Sequence, residues 1–265
     1  MQKIMRYLSK QKLEWLLADK GLYVSAAQNQ SDTEEGTSDH TFLAKHIAAN
    51  VEGVDAKLLT DIDKIMLGMQ KVGRETNYLS CWYLGTEESE SMWEEFGKDG
   101  IILISTEWEL MSAFSEPLEQ ALNGYPVTYS DELKASPLNE PLRVKHAKFQ
   151  SEKEFRVVFN LTHYSILTGF EGIGVYVGNK PSHLNPQITA CMSQKGIEQG
   201  QKVIRRKDAG GLVLDFDFAR AIIEVRVHPQ ATDEDLLDVQ TRLLGIGVKC
   251  PVKHSDLRQA RPRGL

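Results

Sequence analysis

Residues 150–160, Gln-Ser-Glu-Lys-Glu-Phe-Arg-Val-Val-Phe-Asn, combine a strand pattern with closely spaced charges. In an extended strand, every second side chain points to the same face. The sequence therefore predicts a strand whose apolar face consists of Phe155, Val157 and Phe159. Its other face would carry two carboxylates and a guanidinium, those of Glu152, Glu154 and Arg156. Such a face is ordinary where solvent covers it, and it is a candidate catalytic surface where a cleft covers it.

The composition is typical of a globular protein without a strong charge bias. The chain has 265 residues, of which 41% are hydrophobic and 26% charged, with a formal net charge of −6. This length suits one large domain or two small ones, and no stretch has the composition of a linker. We therefore predict one domain over 1–257, followed by a disordered basic tail over 258–265. The negative net charge argues against duplex DNA as a partner.

Cysteine and histidine spacing favours neither a disulfide framework nor a metal site. The three cysteines, Cys81, Cys191 and Cys250, form no Cys-x-x-Cys pair, and no two histidines have metal-ligand spacing. The N-terminus lacks the apolar core of a signal peptide, and no apolar run is long enough to span a membrane. We expect a cytoplasmic protein with no metal and no membrane partner.

The order of predicted elements favours an α+β fold. A strand over 3–8 precedes a helix that Ser9 caps and Gly21 ends, and a second strand covers 22–26. Later strands are predicted at 78–83, 101–104, 212–216 and 222–227, mixed irregularly with helices. Such an order is typical of a mixed, largely antiparallel sheet flanked by helices.

Two regions between the early strands have competing interpretations. The polar loop over 28–40 is either a surface loop or the border of a site, and the first interpretation is favoured. The helix over 56–71 has regularly spaced apolar residues, which predict core packing rather than a cofactor site. These residues are Leu58, Leu59, Ile62, Ile65, Met66 and Met69.

Common phosphate-binding, hydrolase and metalloprotease motifs are absent. The chain instead has an arginine in its first strand, a serine in a middle strand and Glu-x-Glu in the predicted strand over 150–160. This order resembles ADP-ribosyltransferases of the arginine–serine–glutamate type, and the opening strand–helix–Gly-Leu–strand is similar too. The residues that carry the resemblance are Arg6, Ser80, Glu152 and Glu154.

The resemblance implies an ADP-ribosyltransferase-like fold and an enzyme that uses NAD as its substrate. Glu154 would stabilise the ribosyl cation, Glu152 would activate the acceptor, and Ser80 would support the ribose. Arg6 would bind the pyrophosphate, as arginine forks do. The other residues assigned to the cofactor are Tyr7, Ser25, Trp93 and Arg156. From the residues alone, four of these assignments have structural alternatives: the Glu-x-Glu is a chance strand pattern, Arg6 an ordinary surface arginine, Ser80 a core hydroxyl and Trp93 a core aromatic.

Over nearly its whole length the chain also resembles a bacterial family of unknown function that is often encoded near phage-defence genes. In two places it departs from the family pattern: Ser31 and Thr33 replace an Asn and a Pro, and Glu95-Phe96 replaces His-Tyr. The matching stretches are 5–7, 31–36, 79–82, 91–96, 148 with 152–156, and 222–229.

These resemblances imply an effector of a toxin or phage-defence system that transfers ADP-ribose to protein or single-stranded RNA. An antitoxin or inhibitor protein would be a further partner. Two alternatives remain open at this point. One is an NAD hydrolase that uses water as the acceptor, and the other is a non-catalytic sensor, interaction or antitoxin module on the same scaffold.

Overall fold

A computed structural model of the chain describes residues 2–131, 141–168, 170, 176–177, 180–181, 198, 200, 202–207 and 210–258. The predicted tail lies outside these residues apart from Arg258, which forms an ion pair with Asp233. Cys191 also lies outside them.

The helices and strands follow in chain order. Among the described residues, the helices are α1 Lys10–Asp19, α2 Phe42–Asn50, α3 Ala56–Thr76, α4 Glu90–Met92, α5 Glu107–Met111, α6 Leu161–Thr168, α7 Phe218–Ala221 and α8 Asp233–Leu244. The strands are β1 Lys3–Leu8, β2 Leu22–Ala26, β3 Asn77–Leu84, β4 Ile101–Thr106, β5 Leu122–Pro126, β6 Thr128–Tyr129, β7 Val144–Lys145, β8 Glu154–Asn160, β9 Tyr176–Val177, β10 Lys180–Pro181, β11 Ile204–Lys207, β12 Gly211–Leu214, β13 Glu224–Val227 and β14 Val252–His254.

Ten of the strands form one sheet, in the order β11-β12-β2-β3-β1-β4-β13-β14, with β8 beside β3 and β5 beside β8. Its strand pairs are antiparallel except β13 with β14. The predicted α+β class with a largely antiparallel sheet is thus confirmed.

The sheet opens beside the middle of β3. One edge of β3 pairs with β8 from Asn77 to Tyr83. Its other edge is divided, because Tyr78 and Leu79 pair with β2 whereas Tyr83 and Leu84 pair with β1. The residues between them, 80–82, pair with neither strand on that edge. The diverging ends of β1 and β2 therefore leave a gap in the sheet, which we call the fork.

Both faces of β8 are buried, including the charged face, for which the sequence left solvent and a cleft as alternatives. Phe155, Val157 and Phe159 join the main core, as their alternation predicts. Glu154 and Arg156, on the other face, are buried as well. Buried charges need partners, since leaving them unpaired costs several kcal/mol each.

The opening strands have the predicted bounds, and Ser9 caps α1 by accepting from the Lys12 backbone N–H at 3.3 Å. The predicted role of Gly21 was wrong, because the helix ends at Asp19 and Lys20 takes the left-handed position after it, with φ 49°. Gly21 instead lies against β12, where a Cβ atom would come within 2.6 Å of the Leu214 carbonyl oxygen.

The predicted core packing of α3 was also wrong. Leu58, Ile65 and Met69 are more than half exposed, and no residue of α3 is fully buried. The helical period shows which side chains share a face, but it does not show whether that face meets the rest of the protein.

Candidate active site

The fork holds a cavity of about 260 Å³. Five of the eight predicted site residues line it: Arg6, Tyr7, Ser25, Glu152 and Glu154. They come from β1, β2, the start of β8 and the 3₁₀ helix before it. The divergence of β1 and β2 beside β3 is what brings them to one place.

One side of the cavity is cationic. Arg6 spans the fork, donating from Nη2 to the Tyr23 carbonyl at 3.1 Å, and its guanidinium lies 5.9 Å from the Trp82 ring centre. Burial lowers the pKa of Arg6 to about 10, so it remains a cation at neutral pH. Burial lowers the pKa of Lys12 of α1, and the nearby charge of Arg6 lowers it further. Among the described residues, neither cation forms an ion pair.

The other side of the cavity is formed by carboxylates held by two cations. Glu154 accepts from Arg156 at both oxygens, at 2.7 Å from Nε and 2.9 Å from Nη2. Lys145 of β7 donates to Glu152 at 2.6 Å and to Glu154 at 3.4 Å. Burial alone would raise the pKa of Glu154, but these cations outweigh burial and lower it below its ordinary value. Glu154 is therefore ionised at neutral pH.

Arg156 joins this carboxylate to the loop after β2. It is fully buried, donates from Nη1 to the Leu142 carbonyl at 2.5 Å and forms an ion pair with Glu35 through Nη2. The loop around Glu35 was favoured as a surface loop, yet Glu35 itself is buried. Burial raises the pKa of Glu35, although Arg156 acts in the opposite direction. We call Arg156, Glu154, Glu35, Lys145 and Glu152 the Arg156 cluster.

Glu152 reaches the cavity by a different route from the predicted one. It ends a 3₁₀ helix over Ala147–Glu152, and Lys153 has a left-handed φ of 39°. This turn breaks the strand alternation, so Glu152 is not on the face of β8 that carries Glu154. Lys145 nevertheless holds the two carboxylates together. The strand begins only at Glu154, whose backbone N–H donates to the Tyr129 hydroxyl at 2.7 Å.

Cys81 lies between the two sides of the cavity and was not among the predicted site residues. It is opposite Arg156 in the β3–β8 register, and its thiol lies beside the Glu154 carboxylate. Its side chain has accessible surface within the cavity, but desolvation by the surrounding protein, followed by the nearby Glu154 charge, raises its pKa. Cys81 is therefore a thiol at neutral pH. Alternation along β3 places it on the face of Leu79 and Tyr83, and that signal was available in the sequence.

Two other predicted residues lie outside the cavity. Ser80 is buried on the opposite face of β3, where it accepts from the Trp82 indole N–H at 3.0 Å. It therefore holds the ring beside Arg6 and does not face the cavity itself. Trp93 packs edge-on against Tyr7, with ring centres 5.3 Å apart, and donates to Glu88 at 2.8 Å. Its alternative interpretation as a core aromatic fits this position.

Arg156 is the third predicted site residue outside the cavity: it is buried behind Glu154 and does not line the cavity.

Within the described parts of the chain, no three His, Cys, Asp or Glu side chains are grouped closely enough to hold a metal ion. No described helix combines the length and apolar character needed to cross a bilayer.

Comparisons with protein families, curated proteins and solved structures found no match for the chain.

Proposed function

We propose that this protein is a cytoplasmic ADP-ribosyltransferase-like enzyme that consumes NAD and modifies protein or single-stranded RNA. The observation that supports it most is the pairing of opposite charges across one cavity. Arg6 and Lys12 provide two cations without ion-pair partners among the described residues, and Glu154 provides an ionised, buried carboxylate facing them. A dinucleotide that carries phosphates at its centre and develops a ribosyl cation during cleavage has the matching charges.

The reaction would break the bond between the ribose C1′ and the nicotinamide nitrogen. The electron pair of that bond leaves with nicotinamide, and positive charge develops on the ribose. Glu154 would stabilise that charge in a buried site, where electrostatic effects are stronger than in water. The acceptor then attacks C1′, and Glu152, which is less buried than Glu154, would take the acceptor proton.

The opposite side of the cavity would hold the phosphates and a base. Arg6 and Lys12 would bind phosphate oxygens by charge-assisted hydrogen bonds. Trp15, which lines the cavity and is 56% exposed, offers a ring face on which a base can stack. Ligand pockets usually measure about 300–1,000 Å³, so this cavity of about 260 Å³ would enclose part of the dinucleotide and leave the rest at the rim.

One observation favours a second candidate, a module that binds the nucleotide without cleaving it. A carboxylate has about four lone-pair positions, and three on Glu154 accept from Arg156 and Lys145. The Cys81 thiol lies beside the same carboxylate. A ribose hydroxyl would therefore have to displace Lys145 or Cys81. Where this displacement does not occur, the site binds NAD as a sensor would.

The test is incubation of the purified protein with labelled NAD and cell extract. We expect label in macromolecules and free nicotinamide with the wild type, and neither with Glu154→Gln. Glu35→Gln is the matched control, because it also weakens a carboxylate contact of Arg156 but lies outside the cavity wall. It should keep most of the activity.

The other outcomes separate the candidates. Nicotinamide release without macromolecular labelling would indicate an NAD hydrolase. NAD binding without release would indicate the non-catalytic module. An intact NAD pool and no measurable NAD binding would contradict both the enzyme and the sensor. A toxin or phage-defence role, with an inhibitor protein as partner, further requires that expression of the wild type, and not of Glu154→Gln, harms the host cell.

A further inference from the structure

The outer face of α3 carries an exposed apolar stripe. Leu58, Ile65, Met69 and Val72 are 53%, 61%, 63% and 52% exposed. With Ile62 they follow one another at intervals of three or four residues, the heptad spacing of a coiled-coil contact. Single exposed apolar side chains are ordinary, but a continuous row of them marks an interaction surface. We call these five residues the α3 stripe.

The two flanks of the α3 stripe differ in charge. One flank carries three lysines at intervals of seven residues and two acids, in the order Lys57, Asp61, Lys64, Lys71 and Glu75. The ion pairs within this flank are long, at 3.5 Å for Lys64 with Asp61 and 4.0 Å for Lys71 with Glu75, and their side chains are exposed. Such pairs contribute little to stability, so these charges are available to a partner.

The other flank of the α3 stripe has no charged side chain next to the stripe, since Asp63 lies farther around the helix. It contains Leu59 and Met66, which are half-buried against the rest of the chain. A partner helix therefore meets a charged flank on one side of the stripe and an apolar flank on the other. This asymmetry determines which helix orientation satisfies the charges.

We propose that α3 pairs with the α3 helix of a second copy of this chain, antiparallel and about a two-fold axis. In this register, Ile65 packs against Met69 of the second copy, and Ile62 packs against Val72. The charged flanks of the two helices then meet. Lys57 lies within about two positions of Glu75 of the second copy, and Lys71 lies equally close to Asp61.

A parallel pair would not satisfy the same charges. In a parallel pair, the charged flank of each helix faces the uncharged flank of the other, which contains Leu59 and Met66. The lysines and acids would then have no partners across the interface. An antiparallel two-fold contact also uses the same surface on both copies, so the assembly closes at two chains.

The size of the contact sets the expected affinity. A helix of 21 residues is about 30 Å long. A contact along one helix is smaller than the ~800 Å² per partner of a standard interface. We therefore expect a dissociation constant in the micromolar range. The dimer has to be sought over a range of concentrations.

Sedimentation velocity from about 1 µM to about 500 µM, a range that spans the expected dissociation constant, tests the pairing. The wild type should change from monomer to dimer, and Ile65→Asp should remain monomeric throughout. Leu237→Asp on α8 is the matched control, because Leu237 is also 61% exposed. It should dimerise like the wild type. Circular dichroism verifies that both variants are folded.

A charge exchange tests the antiparallel register. Lys57→Glu should weaken dimerisation at least threefold, since it places a second carboxylate opposite Glu75 of the other copy, and adding Glu75→Lys should restore it. Both changes favour the isolated α3 helix, because acids stabilise its first turn and bases its last. Loss of the dimer would therefore not result from a damaged helix.

Three results would overturn the proposal. They are a wild type that is monomeric at every concentration, equal effects of Ile65→Asp and Leu237→Asp, and a charge exchange that fails to restore the dimer.

Discussion

Two arginines in this sheet have the same kinds of ion-pair partners but differ in burial and in whether those partners line a cavity. Glu154-Phe-Arg156 opens β8, and Glu224-Val-Arg226 opens β13. In both, the arginine Nε donates to the preceding glutamate at 2.7 Å, and a second glutamate from a distant loop joins the arginine. A lysine binds the strand glutamate in each case: Lys145 for Glu154 and Lys253 for Glu224.

The difference lies in what each group faces. Arg156 is fully buried, and its carboxylates Glu154 and Glu152 line the cavity that also contains Arg6. Arg226 is partly exposed and joins Glu88 and Asp256, so it ties the segment after β14 to the loop before α4. We call Arg226, Glu224, Glu88, Asp256 and Lys253 the Arg226 cluster. A Glu-x-Arg pair on a strand is therefore not a functional signal by itself, and the opening of the sheet beside it distinguishes the two clusters.

Removing each arginine should separate the two clusters most clearly. Arg156→Met leaves Glu154 and Glu35 buried without their main cation, and we expect a loss of about 3–5 kcal/mol in the free energy of unfolding. Arg226→Met should cost about 1.5–3 kcal/mol, because Glu88 keeps hydrogen bonds from Trp93, Ser255 and the Asp256 backbone. Urea unfolding at neutral pH measures both. Equal losses would show that burial does not distinguish the clusters.

NAD binding should depend on the cavity and not on the Arg226 cluster. Arg6→Ala removes a cation that faces the cavity, and we expect a loss of about 1.5–3 kcal/mol, or roughly 10–150-fold in affinity. Arg226→Met should leave the affinity of the folded protein unchanged. Isothermal titration with NAD provides the comparison. An Arg6→Ala variant that binds NAD like the wild type would remove the cationic side from the proposed site.

The two loop glutamates should give opposite dependences on pH. In the Arg226 cluster, burial acts to raise the pKa of Glu88, but Arg226 and other donors lower it overall, so its stabilising contribution is lost as the pH falls below the ordinary value of 4.5. Burial raises the pKa of Glu35, so its contribution is present at low pH and is lost as the pH rises above 4.5.

Stability curves between about pH 3 and pH 7, the window in which carboxylates titrate, test this contrast. The destabilisation by Glu88→Gln should shrink toward low pH, and that by Glu35→Gln should shrink toward neutral pH. The same direction for both variants would contradict the assigned environments.

The smallest expected difference concerns the two lysines. Lys253 is more than half exposed, so Lys253→Ala should cost about 0–1 kcal/mol. Lys145 is mostly buried between two carboxylates, and Lys145→Ala should cost more, about 1.5–3 kcal/mol. Thermal unfolding monitored by circular dichroism is sufficient. A larger loss for Lys253→Ala would reverse the ranking.

Local sequence patterns predicted where the strands and helices begin and end better than they predicted which of their residues are buried. The bounds of β1 and β2 and the Ser9 cap depend on neighbouring residues, and the sequence predicted them. The exposure of α3 and the burial of Arg156 depend on which distant segments meet, and periodicity carries no such information. The left-handed Lys153 also interrupted a strand pattern that the sequence alone would extend through Glu152.

The candidate site was predictable to the extent that its residues follow a motif order. Arg6 and Glu154 do meet at one cavity, but Ser80 faces the other side of the sheet. Lys12 and Lys145 were missed because lone lysines on a helix and a short strand give no pattern. Lys12 has its role because it lies at the fork between β1 and β2, and Lys145 because it contacts Glu152 and Glu154; only the three-dimensional arrangement shows either.

The most direct test of the central claim compares nicotinamide release by Glu154→Gln and Glu224→Gln. These variants make the same change in the same Glu-x-Arg context, but only Glu154 lines the cavity. With labelled NAD and cell extract, we predict that Glu154→Gln abolishes nicotinamide release, whereas Glu224→Gln keeps the wild-type rate. Nicotinamide release at the wild-type rate in both variants would show that Glu154 has no role in cleaving NAD.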